Sequence, residues 1–151
     1  MKLSLMLCQQ YLDWNIKSKK TDTFMRFLMA VSSGNCAKLS GRELVVNADG
    51  LHNSTTKEAL STAYGSPISF LSQAEVEDVY LAGGNEKAVL FAVPVGAINN
   101  AVGINAGRYV YSKVVVDPAT SMVLNAVVPT TGKSFLEALI PKDMEDLKGC
   151  K

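Results

Sequence analysis

The sequence predicts a single α+β domain, residues 1–151, in which helices pack on a curved and mainly antiparallel sheet. Apolar residues in the first part of the chain recur every three or four positions, which is typical of amphipathic helices. Three extended runs rich in valine then follow one another between residues 87 and 129. A length of 151 residues, of which 48% are hydrophobic and 19% charged, suits one domain with one core. Helices followed by strands is the order of an α+β fold.

Two helices are predicted before residue 33. Residues 3–16 carry an apolar stripe at three-and-four spacing that includes Leu5, Leu7, Cys8, Tyr11 and Leu12. The polar run of residues 17–20 interrupts this pattern. Thr21 or Asp22 can then cap a second helix over residues 23–32.

A short strand and a third helix are expected next. Residues 43–48 are predicted to form a strand, which is stopped by the Asp-Gly turn pair at residues 49–50. Thr55 and Glu58 have the spacing of a capping box, in which a hydroxyl and a carboxylate satisfy exposed backbone N–H groups. A helix over residues 56–64 follows from this box.

The rest of the sheet is predicted over residues 68–129. Its strands are the short runs 68–71 and 75–82, and the three longer runs 87–95, 108–117 and 121–129. The run 87–95 is apolar on both faces, as expected for a central strand with helices on one face and an interior or a partner on the other. Residues 96–107 lack the spacing of a phosphate-binding glycine loop, so they are expected to link two strands.

Two short helices are predicted at the end of the chain. Ser134 and Glu137 form another capping box, which predicts a helix over residues 135–140. Pro141 suits the first turn of a last helix that ends at residue 148, because proline has no backbone N–H to leave unpaired.

Charge and hydropathy argue against several classes of partner. The chain has 15 basic and 14 acidic residues and a formal net charge of +1, which offers no electrostatic footprint for nucleic acid or an anionic membrane. No apolar run approaches the roughly 18 residues of a membrane span. The apolar start, residues 3–7, is too short for a secretory signal. A soluble, cytoplasmic protein is expected.

Cysteine and histidine usage bears on disulfides and metals. Cys8, Cys36 and Cys150 make an odd count without a C-x-x-C spacing, which predicts reduced thiols rather than a disulfide framework or a zinc site. His52 is the only histidine, so neither a metal site nor a cofactor is expected.

The order of the predicted elements and the local sequence of several stretches resemble one known family. The stretches are residues 10–15 (QYLDWN), the strand, turn and helix of residues 45–64, and residues 76–84 (VEDVYLAGG) leading into the run 87–95. Over residues 9–129 the chain resembles the cone-shaped family that includes ketosteroid isomerase, scytalone dehydratase, the SnoaL-like polyketide cyclases and nuclear transport factor two. None of the stretches is a specific motif of that family.

The resemblance implies a strongly curved sheet, a cystatin-like α+β cone, whose wide side is closed by the helices. Such a cone leaves an apolar cavity open at one end, which is a common form of ligand site. Many members of the family also dimerise through the outer face of the sheet. A homodimer is therefore expected, and it would explain why the run 87–95 is apolar on both faces.

Asp49, His52 and Asp78 are the candidate catalytic residues. Asp49 lies three positions before His52, and its carboxylate could orient the imidazole as a base. The alternative is a loop histidine beside a turn aspartate in solvent. Asp78 could act as general base in an isomerisation or dehydration if it points into an apolar cone. The alternative is an acid on an exposed strand start.

Further residues are candidate ligand contacts, namely Tyr11, Trp14, Tyr80, Tyr111 and Asn125. The first two lie on the first helix, where they either wall a cavity or pack in the core. Tyr80 and Tyr111 lie on predicted strands and can offer hydroxyl groups to a ligand. A buried Asn125 needs hydrogen-bond partners, so it is either a ligand contact or a structural residue.

Two functions remain open at this point. The first is a small-molecule-binding protein with an apolar pocket, which extends to proton transfer of the isomerase, dehydratase or cyclase type if a candidate base reaches the ligand. The alternative is a non-catalytic dimerisation or protein-interaction module on the same fold. One scaffold hosts many functions, so the resemblance does not choose between them.

Overall fold

The computed structural model describes residues 2–18, 24–94, 111–127 and 136–148. These ranges contain five helices and one five-stranded mixed sheet, which confirms the predicted α+β class. The helices are α1 (Lys2–Ser18), α2 (Phe24–Asn35), α3 (Lys57–Tyr64), α4 (Gln73–Ala82) and α5 (Pro141–Leu147). The strands are β1 (Glu43–Asn47), β2 (Ile68–Leu71), β3 (Lys87–Pro94), β4 (Tyr111–Val116) and β5 (Val123–Ala126). The predicted loop 96–107 and the predicted caps Thr21 and Asp22 lie outside the described residues.

The sheet combines parallel and antiparallel pairs. The strand order is β2-β1-β3-β4-β5, and β1 runs parallel to both of its neighbours. The β3–β4 and β4–β5 pairs are antiparallel. The prediction of a mainly antiparallel sheet is therefore wrong for the half formed by β2, β1 and β3.

Helices cover both faces of the sheet. Val45 of β1 packs in a core shared with α1, α2 and α4, whereas Leu44 and Val46 pack in a second core shared with α3 and α5. In β3, Val89 belongs to the first core and Leu90 to the second. The apolar character of both β3 faces is thus explained by helices of the same chain, without a partner subunit.

Residues 75–82 lie in helix α4 and do not form the predicted strand. The helix begins with a capping box, in which the Ser72 hydroxyl oxygen accepts from the Glu75 N–H at 3.2 Å and the Glu75 carboxylate accepts from the Ser72 N–H at 3.1 Å. Hydrogen bonds from the Ser72 backbone and hydroxyl lower the pKa of Glu75. The buried residues Val76 and Tyr80 are four positions apart and share one helical face.

The helical connections explain the parallel pairs. Helix α3 joins β1 to β2, and helix α4 joins β2 to β3. Parallel neighbours require a crossover of this kind, because the chain has to return to the same end of the sheet before the next strand begins. A strand in place of α4 would have continued the chain as an antiparallel meander, so the parallel pairing of β3 with β1 depends on α4 being a helix.

The third helix is confirmed, with its cap shifted by one position. Thr56, rather than Thr55, is the N-cap, and its hydroxyl oxygen accepts from the Ala59 N–H at 3.1 Å. Gly65 ends the helix with a φ of 73°, a left-handed conformation that glycine adopts without steric cost.

Residues 136–140 do not form the predicted first C-terminal helix. Leu139 forms a parallel bridge with Leu51, and its carbonyl accepts from the His52 N–H at 2.9 Å. Helix α5 then begins at Pro141, as predicted. The C-terminal segment is therefore fixed beside the residues that follow β1.

Asp117 ties the β4–β5 hairpin to the start of β1. Its carboxylate accepts hydrogen bonds from the Arg42 guanidinium at 3.0 Å, the Ala119 N–H at 3.1 Å and the Thr120 hydroxyl at 3.0 Å. Burial raises the pKa of Asp117, but these hydrogen bonds and the charge of Arg42 outweigh burial and hold the pKa below its ordinary value.

An Asp117→Asn variant should lose about 2 kcal/mol of unfolding free energy at pH 7, because the charge-assisted hydrogen bonds are lost while the shape is kept. Since the folded pKa lies below the unfolded value of about 3.9, this stabilisation is present above that pH and disappears as pH falls through the folded pKa. Urea unfolding at pH 7 and at acid pH measures the difference. Glu43→Gln, which removes an exposed pair with Lys87, is the matched control and should change stability little. An Asp117→Asn loss that is unchanged in acid would contradict the assignment.

The cysteines differ from the prediction of reduced thiols. Cys36 is disulfide-bonded, and its partner lies outside the described residues. Spacing along the sequence does not report on cysteines that folding brings together, so the prediction is wrong at this position. Cys8 in α1 is a free thiol, and burial raises its pKa.

Candidate functional site

The candidate site is a cavity at one end of the sheet. β1 and β3 pair only as far as Val45 and Val89, whereas β3 continues beside β4 to Pro94. The last residues of β3 therefore have no neighbour in β1. A cavity of about 550 Å³ opens there, which is within the size range of small-molecule sites.

One face of α4 forms a wall of this cavity. The lining residues of the helix are Gln73, Val76, Glu77, Tyr80 and Leu81. Gln73, Val76 and Tyr80 are separated by three or four positions, and Glu77 and Leu81 each follow one of them, so the five share one broad side of the helix. Leu81 is 65% exposed and extends the apolar wall to the mouth of the cavity.

The remaining walls are mostly apolar. Helix α1 contributes Leu3 and Leu7, residues 90–94 of β3 lie along the sheet end, and the C-terminal segment contributes Leu139. Leu7 is fully buried and Val93 nearly so, and both belong to the core shared with α4. A molecule that enters would therefore exchange water mainly for apolar contacts.

Hydrogen-bonded polar side chains form a rim along one side. The Asn47 amide donates to Gln73 Oε1 at 2.5 Å, and the Gln73 amide donates to Glu77 Oε1 at 3.0 Å. Asn47 Oδ1 in turn accepts from the Asp49 N–H at 2.9 Å. These hydrogen bonds fix the Asn47 and Gln73 amides, and the Gln73 amide in turn holds the Glu77 carboxylate at the cavity. Glu137 adds a second carboxylate from the C-terminal segment.

Among the eight predicted site residues, Tyr80 is the one that lines the cavity. Its ring lies edge-on to Phe91 with centroids 5.4 Å apart. Its hydroxyl is within 2.5 Å of the Ser121 hydroxyl in the hairpin after β4. Tyr80 therefore offers the cavity mainly an aromatic surface, from a helix rather than the predicted strand.

Asp49 and His52 do not form the predicted dyad. Asp49 is exposed, and its backbone N–H is bound by Asn47. His52 Nδ1 lies 2.7 Å from the Ser54 hydroxyl instead. The structure shows no hydrogen bond or ion pair between these two side chains, and neither lines the cavity.

Asp78 is exposed on α4 and does not line the cavity. Successive residues of a helix are rotated by about 100°, so Asp78 faces away from the stripe that contains Glu77. In a strand Asp78 and Tyr80 would share one face, because alternate residues of a strand point the same way, and the helix separates them. The neighbouring residue Glu77, rather than Asp78, lines the cavity with its carboxylate.

Tyr11 and Trp14 pack on α2 rather than in the cavity wall. Tyr11 is fully buried, with its ring centroid 5.5 Å from that of Phe27. Trp14 is half-buried and lies edge-on to the same ring at 5.9 Å. Both residues therefore pack in the core, which was the alternative to walling a cavity.

Tyr111 and Asn125 lie on β4 and β5, away from the cavity lining. Tyr111 is half-buried and pairs with Pro94 at the end of the β3–β4 ladder. The Asn125 amide donates to the Leu147 carbonyl at 3.2 Å, and its Oδ1 accepts from the Ala126 N–H. Asn125 thus donates a hydrogen bond to a backbone carbonyl at the end of helix α5. It is a structural residue, which was the alternative to a ligand contact.

A buried ion pair, missed at the sequence level, joins β4 to α5. Lys113 Nζ lies 3.0 Å from Asp143 Oδ2, and both side chains are 0% exposed. Asp143 Oδ2 also accepts from the Ile140 N–H at 3.1 Å. Burial raises the pKa of Asp143; the hydrogen bond and charge of Lys113 oppose this, and the pKa stays above its ordinary value. Neither residue lines the cavity, so the pair is a structural feature.

The described ranges also bear on two other classes of site. No group of three or more histidine, cysteine or acidic side chains that could hold a metal ion occurs in them. None of the helices in the same ranges combines the length and apolar character that crossing a bilayer requires.

Comparison with known proteins gives no match: no protein-family model, curated protein or solved structure is significantly similar to this chain. The relationship to the cone-shaped family therefore stays a prediction. The geometry of the cavity is the feature of the molecule that bears on its function.

Proposed function

We propose that the chain is a small-molecule-binding protein whose ligand occupies the cavity between α4, α1 and the end of β3. The observation that carries this proposal is a cavity of about 550 Å³ with apolar walls and a polar rim. Removing apolar surface from water contributes roughly 25 cal/mol per Å². A molecule with an apolar body and a small polar end matches this distribution.

The position of the cavity in the sheet supports the proposal. Ligands of open sheets with parallel strands bind beyond the carboxyl ends, where neighbouring strands connect in opposite directions. After β1 the chain crosses through α3 to β2 on one side, whereas β4, the next described strand after β3, lies on the other side. The cavity lies between the carboxyl ends of β1 and β3.

Binding, rather than proton transfer, is the proposed activity. Asp49, His52 and Asp78 do not line the cavity. The Glu77 carboxylate does, but it is exposed and accepts from the Gln73 amide, and the Tyr80 hydroxyl is engaged with Ser121. The dimerisation alternative was motivated by the two apolar faces of β3, which helices of the same chain cover. The strongly curved cone and the homodimer stay predictions, and the binding proposal requires neither.

Octanol is a suitable neutral probe, because it has an apolar chain and one hydroxyl group. It should bind with one molecule per chain, a dissociation constant on the order of 100 µM and a negative change in heat capacity. Isothermal titration calorimetry at several temperatures measures all three. Absence of saturable binding up to the solubility limit of octanol would contradict the proposal.

A further inference from the structure

We propose that the cavity selects apolar molecules that end in a protonated amine over those that end in a hydroxyl or a carboxylate. This inference rests on the proposed function and names the class of its ligand. It follows from the charge and hydrogen-bonding pattern of the rim, which is separate from the apolar walls that provide most of the contact area.

The charged groups of the described lining are acidic. Glu77 on α4 and Glu137 on the C-terminal segment both line the cavity, and no lysine, arginine or histidine belongs to the described lining. A cation that enters the rim therefore gains attraction from carboxylates, whereas a carboxylate ligand meets like charge.

The hydrogen bonds of the rim position Glu77 as an acceptor. The Gln73 amide donates to one oxygen, Oε1, and a carboxylate has about four lone-pair positions in total. Gln73 is itself fixed, because its Oε1 accepts from Asn47. An ammonium group carries three donors and no acceptor, so it matches the remaining acceptor positions of Glu77.

The apolar walls set the shape of the rest of the ligand. Val76 and Leu81 flank Glu77 on the same face of α4, and Leu81 continues to the mouth. An ammonium group at Glu77 would thus leave an attached alkyl chain against Val76, Val93 and Leu7. The predicted ligand class is a primary amine on an apolar chain or ring.

Octylamine, octanol and octanoate share a chain length and differ in the charge of the end group. At pH 7 and low salt, octylamine should bind about tenfold more tightly than octanol, and octanoate about tenfold more weakly, as expected for one ionic contact near a protein surface. Glu77→Gln keeps an acceptor for Gln73 and removes the charge. This variant should lose the preference, so that octylamine and octanol bind to it with equal affinity.

Asp78→Asn is the matched control, because it removes one charge from the adjacent position on the exposed side of α4. It should leave the tenfold preference intact. Equal affinity for octylamine and octanol in the wild type would overturn the inference and leave the proposed function standing. An equal loss of preference in Asp78→Asn and Glu77→Gln would also overturn it, because the net field and not the rim contact would then select the amine. Failure of octanol and octylamine alike to bind would overturn the proposed function itself.

Discussion

Replacing Lys113 with methionine should lower the free energy of unfolding by roughly 3–5 kcal/mol at pH 7. The variant leaves the Asp143 carboxylate buried and 0% exposed without the cation that now lies 3.0 Å away. The second oxygen, Oδ1, is buried and has no hydrogen-bond partner in the described residues, so it gains no compensation. Urea unfolding followed by circular dichroism measures the loss.

The pH dependence of this loss follows from Asp143. Burial already holds its folded pKa above the unfolded value, and removal of Lys113 takes away an opposing influence. A group with a raised folded pKa gives stability that is present below the unfolded pKa, about 3.9, and is lost as pH rises through the folded pKa. Lys113→Met should therefore be closer to wild type in acid than at pH 7.

Lys87→Met is the matched control for the ion pair. Lys87 of β3 lies 3.7 Å from Glu43, and the two side chains are 46% and 37% exposed. Exposed pairs of this type contribute about 1 kcal/mol or less. Equal stabilities of the Lys113 and Lys87 variants at pH 7 would show that the buried pair does not hold β4 to α5.

Val93→Phe should weaken octanol binding at least tenfold, which corresponds to about 1.4 kcal/mol. Val93 lines the cavity beside α4, so a larger side chain takes up volume that the ligand needs. Calorimetric titration of the variant measures the loss. Because the added ring enters an existing cavity, the stability cost should stay at the low end of the roughly 1–3 kcal/mol that overpacking a core causes.

Val79→Phe is the control for this substitution. Val79 is a half-buried residue of α4 that packs against the same core but does not line the cavity. The same change in size at this position should leave octanol affinity within about twofold of wild type. Equal weakening by both variants would point to a general disturbance of the core and count against the cavity as the binding site.

Elements with local signals could be predicted from the sequence. Helix α3 has a threonine cap and ends at Gly65, strand β1 ends at a turn pair, and α5 begins at Pro141. Helix α4 was misassigned as a strand, although Val76, Val79 and Tyr80 recur at the three-and-four spacing of a helix. Ser72 and Glu75 carried the overlooked signal, since their spacing is that of a capping box.

Features that depend on distant contacts could not be predicted in the same way. The parallel pairs follow from α3 and α4 crossing opposite faces of the sheet, which no local pattern encodes. The rim forms only when α4 brings Gln73 within hydrogen-bond distance of Asn47. Lys113 in a strand with three successive valines was a usable signal, because a buried charge needs a partner. Its partner Asp143 lies 30 positions further along the chain and could not be identified from spacing.

Methyl-resolved NMR during an octanol titration tests the binding cavity most directly, because it reports which side chains meet the ligand. The methyl signals of Leu7, Val76 and Val93 should shift in a saturable manner, since all three residues line the cavity. Leu60 and Val115 lie in the core shared with α3 and α5 and should not shift. Shifts confined to Leu60 and Val115, or no saturable shift at Leu7, Val76 and Val93, would contradict binding in this cavity.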